Sequence, residues 1–541
     1  MLLNNTPQEA MNRAKSTILT VVVLLALAAA LGQILFVRQL PDKSPPPGPG
    51  RANALALTPS ADVARGRQLA QTYCQTCHLL PDPALLDKIS WEKGALPYMA
   101  PWLGMAPPDL ESPREPPIHS GTNLFPIAPI LLPADWRLIG DYYRSAAPEA
   151  PIPQIPHAAV QAGLPQFTVK TLAYQRPVPM TSLVKIDAAN HRLFVGDAMT
   201  RTLESLDSAG QRQFAVEFDS GPISLTLKAG AMDLTLIGRF SPSDETKGKL
   251  LRLQPAPDDM KIGKLLGSLR RPTDTAFADL NGDGREDFIV CQFGHHLGRL
   301  SWFENLGDDV KEHVLADRPG AIRSQVYDVN HDGRPDIFAL FGQAREGLSL
   351  FLNQGHNEFT ETILIQQHPA FGYTYFELVD FNQDGHIDIL TTNGDNGEYI
   401  SPPKNYHGVR VYLNDGHNRF EEKFFFPLNG AYKAVALDFD QDGDLDIAAV
   451  SFFPDYRKSP DESFVYLENQ GGLVFKAYSF PESTAGRWVT MDAGDLDGDG
   501  DADIVLGSLI IAPTTIPIPS SISEAWKTNR LAVLLLDNKL R

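Results

Sequence analysis

Asp495-Leu496-Asp497-Gly498-Asp499-Gly500-Asp501-Ala502-Asp503 puts a carboxylate at every odd position of a nine-residue run and a glycine at the sixth. Four further stretches keep an Asp or Asn at positions 1, 3, 5 and 9 and the glycine at the sixth: Asp279-Leu280-Asn281-Gly282-Asp283-Gly284-Arg285-Glu286-Asp287, Asp328-Val329-Asn330-His331-Asp332-Gly333-Arg334-Pro335-Asp336, Asp380-Phe381-Asn382-Gln383-Asp384-Gly385-His386-Ile387-Asp388 and Asp438-Phe439-Asp440-Gln441-Asp442-Gly443-Asp444-Leu445-Asp446. Oxygens at positions 1, 3, 5 and 9, a position-7 carbonyl and a glycine that turns the chain sharply converge as hard ligands suited to Ca²⁺. An EF-hand is excluded, because the bidentate Glu it needs at position 12 is replaced by Val290 in the first loop and Leu506 in the last. The expected ligands are therefore the residues at those four positions in all five loops, for up to five calcium ions. Like-charged clusters of this kind need a cation merely to let the turn fold, so the ions are expected to be structural staples. No nucleophile or base pair accompanies them, and no catalytic residue is expected.

The first Asp residues of the loops lie 49, 52, 58 and 57 residues apart, a period suited to four-stranded propeller blades. Each loop precedes a β-branched run such as Ile289-Val290 or Ile504-Val505, then a second strand with a turn, as at Leu300 to Gly307, Leu348 to Gly355, Val409 to Gly416 and Phe464 to Gly471. Weaker copies at Leu203 to Gly210 and Leu250 to Pro257 add two degenerate units, predicting seven blades over 166–541. The chain stops at a penultimate strand, Leu531 to Asn538, while Phe167 to Leu172 matches the final strands elsewhere. Joining both ends in one blade would remove the open sheet edge, so Phe167 to Leu172 is expected to complete the last blade. The loops and strands resemble the FG-GAP or VCBS repeat of integrin-α-like propellers over about 375 residues.

Upstream, Cys74-Gln75-Thr76-Cys77-His78 is a C-x-x-C-H motif, in which two thiols can bond a haem covalently while the adjacent imidazole reaches its iron. A redox dithiol or half a zinc site is disfavoured, since His follows directly and Cys291 is the only other cysteine. Val63, Gly66, Leu69, Ala70 and Tyr73 recur at helical spacing before the motif, and Trp136, Ile139 and Tyr143 do so after Pro133. This segment, 61–148, resembles a small all-α class I c-type cytochrome of the kind fused to repeat propellers in bacteria. The resemblance implies one covalent haem c on Cys74 and Cys77, with His78 on the iron and two helices crossing at Gly66 against Tyr142 or Tyr143. Met99 is the expected opposite ligand, presented by an extended Leu96-Pro97-Tyr98-Met99-Ala100-Pro101 backbone, with Met105 as the substitute. Pro81 or Pro83 is expected to offer the carbonyl that orients His78.

Ser16 to Val37 holds 22 residues without a charge, about 33 Å of helix, enough for one membrane crossing. Ala28-Ala29-Ala30 offers small residues for signal cleavage, but the apolar run continues through Gln33-Ile34-Leu35-Phe36-Val37, which favours an uncleaved anchor. The chain thus reads as a cytoplasmic N-terminus (1–15), a transmembrane anchor (16–37), a Pro-rich linker (38–60), a cytochrome c domain (61–148), a second Pro-rich linker (149–165) and the seven-bladed propeller (166–541).

Against 47 Lys and Arg stand 66 Asp and Glu, a net charge of −19 that makes nucleic acid an improbable partner. Haem c attachment and weak calcium sites both belong outside the cytoplasm, which orients the anchor with its N-terminus inside and its folded domains periplasmic or extracellular. The leading function is a membrane-anchored monohaem electron carrier whose propeller docks a redox partner protein. One alternative is an oxidoreductase whose propeller binds an organic substrate such as a sugar, on a rim formed by Tyr399, Tyr406, Tyr456 and Trp526 in the long insertions. Another is an adhesion or scaffold module. His295-His296 reads as a solvated pair and Cys291 as a buried strand thiol.

Overall fold

The run after each Asp loop, such as Asp503–Ser508, is buried at all six residues, as a strand must be when its sheet is covered on both faces. Each such strand is the second of a four-stranded antiparallel sheet, and seven of these sheets form the blades of a propeller. The computed structural model describes residues 60–105, 124–256, 259–397 and 402–540. The proposed anchor at 16–37 and nearly all of the first linker, like Tyr399, lie outside the described residues. Among the described residues no helix is long and apolar enough to cross a membrane.

The two degenerate units form the first two blades, and the five loop-bearing units follow in order. Ring closure takes the expected form: Phe167–Lys170 pairs antiparallel with Val533–Asn538, Phe167 opposite Asn538 and Lys170 opposite Leu535, so the last blade combines both ends of the propeller. Its core lies between blades: Phe439, Ala448 and Tyr466 of the sixth pack with Phe167, Ile504 and Leu536 of the seventh. In each loop-bearing blade the innermost strand, such as Pro272–Ala278, ends where the Asp loop begins. All five loops therefore share one face of the ring, and the insertions between second and third strands lie on the other.

One expectation needs correction. The segment at 149–165 is not only a spacer, because Gln161–Ala162 adds a short parallel strand to the edge of the sixth blade, opposite Tyr478 and Ser479. The exposed edge of Phe475–Ser479 supplies the free backbone groups, and Gly163 donates to the Ser479 carbonyl at 2.7 Å.

Before the propeller, Ser60 caps the helix Ala61–Tyr73, accepting from the Val63 amide at 3.3 Å. Pro133 starts the second helix, Pro133–Ala146. The helices cross at Gly66, where a Cβ would lie 2.1 Å from the Leu138 carbonyl oxygen and 3.0 Å from the Tyr142 Cβ. Only glycine allows so close an approach. Leu69, Ala70, Trp91, Ile139 and Tyr143 form the small core between them.

Candidate functional site

Cys74 begins a 3₁₀ turn at the end of the first helix, half-buried, and Cys77 follows exposed; both are free thiols. Burial, with Cys77 adding to it, pushes the Cys74 thiol up to about 11, whereas a redox-active dithiol needs a depressed value. His78 Nδ1 lies 2.8 Å from the Leu79 carbonyl. A carbonyl only accepts, so Nδ1 carries the proton and Nε2 keeps a lone pair for a metal. Burial also lowers the His78 basicity, which keeps the ring neutral. The expected Pro81 and Pro83 carbonyls are occupied instead: Tyr143 OH donates to the first at 3.2 Å and Trp91 Nε1 to the second at 2.8 Å. Trp91 and Tyr143 also pack at 4.2 Å between ring centroids, which locks the segment after His78 onto both helices.

The backbone around Met99 differs from expectation. Leu96–Met99 is a turn of α-helix and Pro101–Leu103 a 3₁₀ turn, because each proline falls in the first turn of a helical segment, where its missing N–H costs nothing. Met99 is half-buried on that helix, and Met105 packs against the cluster that includes Cys74. Leu79, Tyr98, Trp102, Ile127, Ile130 and Leu132 remain more than a third exposed, a large apolar surface for so small a unit.

This unit sits on the insertion face of the propeller. Arg345 Nε donates to the Cys77 carbonyl at 3.3 Å, the Tyr406 OH shares its proton between the Ala370 carbonyl at 3.1 Å and the Leu85 carbonyl at 3.4 Å, and Trp102 meets the His296 ring edge-on at 5.4 Å. The His pair is thus part of a contact, and its backbone is occupied too: the amides of His295, His296 and Leu297 converge on Asp244 Oδ1 at 2.8, 2.9 and 2.8 Å. Around Tyr406, the Nδ1 of His368 and the Nε2 of His407 are sealed from solvent without a hydrogen-bond partner among the described residues. The expected aromatic rim is not a platform. Tyr456 and Trp526 pack on each other at 5.7 Å in a buried cluster with Phe452 and Phe453, because the insertions fold inward to cover their own backbone. Cys291 is fully buried, as expected.

On the opposite face, the position-1 Asp closes each loop. Asp279 Oδ1 accepts from Gly282 at 2.8 Å and Asp283 at 3.1 Å, and its Oδ2 from Gly284 at 2.8 Å. The position-6 glycines adopt φ of +81°, +83°, +85°, +101° and +95°, as the turn demands. Position 4 is left-handed as well, at His331, Gln383 and Gln441 without help from glycine, a feature that sequence reading missed.

Position 9 has a second role. Asp287, Asp336, Asp388, Asp446 and Asp503 are fully buried, and each divides its oxygens between two backbone amides. Asp336 Oδ2 accepts from Val329 at 3.0 Å and its Oδ1 from Asn353 at 2.8 Å. Asn305, Asn414, Asn469 and Asn538 occupy the Asn353 position in the other blades. Each of these Asn residues returns a side-chain bond to the carbonyl just before its Asp, as Asn305 does to Glu286 at 3.0 Å. The recurring Asn before each turn was the available signal.

Asp438, Asp440 and Asp442, and likewise Asp495, Asp497 and Asp503, each bring ligand oxygens within 4.8 Å of one another. In the first two loops Arg285 and Arg334 reach back to Asp283 and Asp332, and in the fifth Lys539 Nζ stands 3.9 Å from Asp497 and Asp499. Burial and neighbouring carboxylates push Asp503 up to about 6.

Fold and loops define the chain as a seven-bladed β-propeller carrying FG-GAP-like repeats. The FG-GAP-like repeat matches residues 279–339, 328–391 and 438–506. No curated protein matches the chain in sequence. Similar solved structures include the Neurospora crassa Pan2 WD40 domain, at 10% identity and a TM-score of 0.42 over 70% of this chain and 98% of that one. Saccharomyces cerevisiae Sqt1 gives 8%, 0.40, 70% and 99%, respectively.

Proposed function

We propose that the protein is a membrane-anchored, extracytoplasmic monohaem c-type cytochrome that carries electrons, its propeller a calcium-stabilised platform for docking a redox partner protein. The observation that carries the reading is His78, whose protonated Nδ1 is held by the Leu79 carbonyl so that Nε2 is free to ligate iron. Cys74 and Cys77 would hold the haem covalently, and the exposed apolar residues of the helical unit fit a large apolar group. Met99 is proposed as the opposite ligand and Met105 as its substitute. A haem bound there supplies one-electron chemistry. Arg345 and Tyr406, through the Cys77 and Leu85 carbonyls, fix the helical unit to the propeller. The docking role draws on the repeats, and the up to five calcium ions on the loop carboxylates.

The test is the absorption spectrum of the full chain produced with haem c maturation. Wild type is expected to keep a haem c spectrum through denaturation, and Cys74→Ala with Cys77→Ala to lose it. Carbon monoxide is expected to bind Met99→Ala but not wild type; binding to wild type, or to Met105→Ala alone, would move the ligand from Met99. A protein that matures without covalent haem would refute the reading.

A second reading, an oxidoreductase, draws on the unpartnered His368 and His407 nitrogens beside the helical unit. Reduction of the iron by an organic substrate without a partner protein would favour it.

A further inference from the structure

The innermost strands bring Lys185, Asp274, Arg323, Tyr375, Glu377, Lys433 and Asp492 from six blades to the axis of the ring, close enough for their charges to act on one another across it. Three cations face three carboxylates there, and only Lys185 and Asp492 are matched in contact. Every carboxylate is bonded to the backbone of another blade. Asp274 accepts from the Ser224 hydroxyl at 3.0 Å and the Ser324 amide at 3.1 Å, and Glu377 from the Ala436 amide at 3.1 Å. Asp492 accepts from the Ile186 amide at 2.8 Å and pairs with Lys185 at 3.0 Å. These bonds stitch neighbouring blades together, and they leave two cations over.

Arg323 and Lys433 flank one aromatic ring, with the guanidinium 4.5 Å and the ammonium 5.1 Å from the centroid of Tyr375. Neither has a carboxylate within 4.0 Å or a hydrogen bond among the described residues. The Nε of Arg323 is sealed from solvent and without a partner. Burial first, then the Arg323 and Lys185 charges, push Lys433 down to about 8 against the pull of Asp492 and Glu377, while Tyr375, Asp274 and Glu377 favour the charge on Arg323. Two half-buried cations beside one ring, one of them with an orphaned donor, offer hydrogen bonds and charge to an acceptor-rich anion.

We infer that the axis of the propeller holds a binding site for a small oxyanion, a carboxylate or a phosphate, taken up by Arg323 and Lys433 beside Tyr375. The site lies one layer below the insertion face, since Arg323, Tyr375 and Lys433 are each third in their strands, counted from that face. It is independent of the calcium loops and of the haem reading.

Equilibrium dialysis of the full chain tests it, with radiolabelled inorganic phosphate and, in parallel, radiolabelled acetate, with calcium and phosphate kept below the solubility limit of their salt. Wild type is expected to bind one anion per chain saturably. Arg323→Gln and Lys433→Gln are each expected to weaken binding tenfold or more, and Tyr375→Phe, which keeps both cations, to bind as wild type. Saturation by acetate but not phosphate assigns a carboxylate ligand, and the converse assigns a phosphate. If Arg323→Gln does not fold, judged by its melting curve, Lys433→Gln alone decides. Saturation by neither anion, or binding by the variants at the wild-type affinity, overturns the site.

Discussion

Replacing Asn353 by Ala tests whether the repeated Asn residues hold the propeller together between blades or merely end a strand. Asn353 is 1% exposed and donates to the Leu280 carbonyl of the preceding blade at 2.9 Å and to Pro335 at 3.1 Å, while its oxygen accepts from Gly355 at 2.9 Å. Its backbone amide on Asp336 survives the substitution, so three side-chain bonds are lost, at about 1 kcal/mol each. Asn305 offers the comparison. Its side chain donates only to Glu286 and accepts only from Gly307, and it is half-buried. The expected cost is about 3 kcal/mol for Asn353→Ala and about 1–2 kcal/mol for Asn305→Ala. Urea unfolding in saturating calcium, compared at equal m-values, reads the difference as a shift in midpoint. If Asn305→Ala costs as much as Asn353→Ala, the bond to Leu280 adds nothing, and the inter-blade role assigned to it is wrong.

Four other outcomes are expected. Gly66→Ala drives a methyl into the Leu138 carbonyl, a backbone atom that cannot step aside, and should destabilise the helical unit by about 1–3 kcal/mol, seen as loss of helical circular dichroism at lower temperature. Phe167→Ala removes a ring packed 5.4 Å from Tyr466 and 5.7 Å from Phe439 at the point of closure, and should cost about 3 kcal/mol in the same urea assay. Burial pushes the Glu346 carboxyl from 4.5 up to about 8, against the amides of Tyr373 and Gly372 that favour its charge. The folded chain then binds the extra proton, so this group's contribution to stability falls as pH rises between those values, and Glu346→Gln should flatten the curve of melting temperature against pH in that window. Chelation of calcium should lower the melting temperature, and an unchanged value would remove the structural role of the loops.

Much of the architecture was legible because its signals are local or periodic. Position-6 glycines, the β-branched run after each loop and the orphan strand at each end follow from short windows of sequence. Gly66 was legible because helical spacing places it on the face that meets the second helix. The aromatic insertions were misread, since polar and apolar residues alternate there without a period, and only folding shows that Tyr456 and Trp526 turn inward.

The sequence by itself determined the repeat, the spacing of its Asp residues, the number of blades and the strand that closes the ring, because each is set by covalent order within a blade or by the count of blades. Only the tertiary structure decided that the position-9 Asp residues are bonded to backbone amides, that the amides around His295 hold Asp244, and that Arg323 and Lys433 both stand beside the Tyr375 ring. These partners lie on different strands or different blades, as with Asp244 and His295, 51 residues apart. Their meeting depends on how seven sheets close around one axis, which no local pattern of residues encodes.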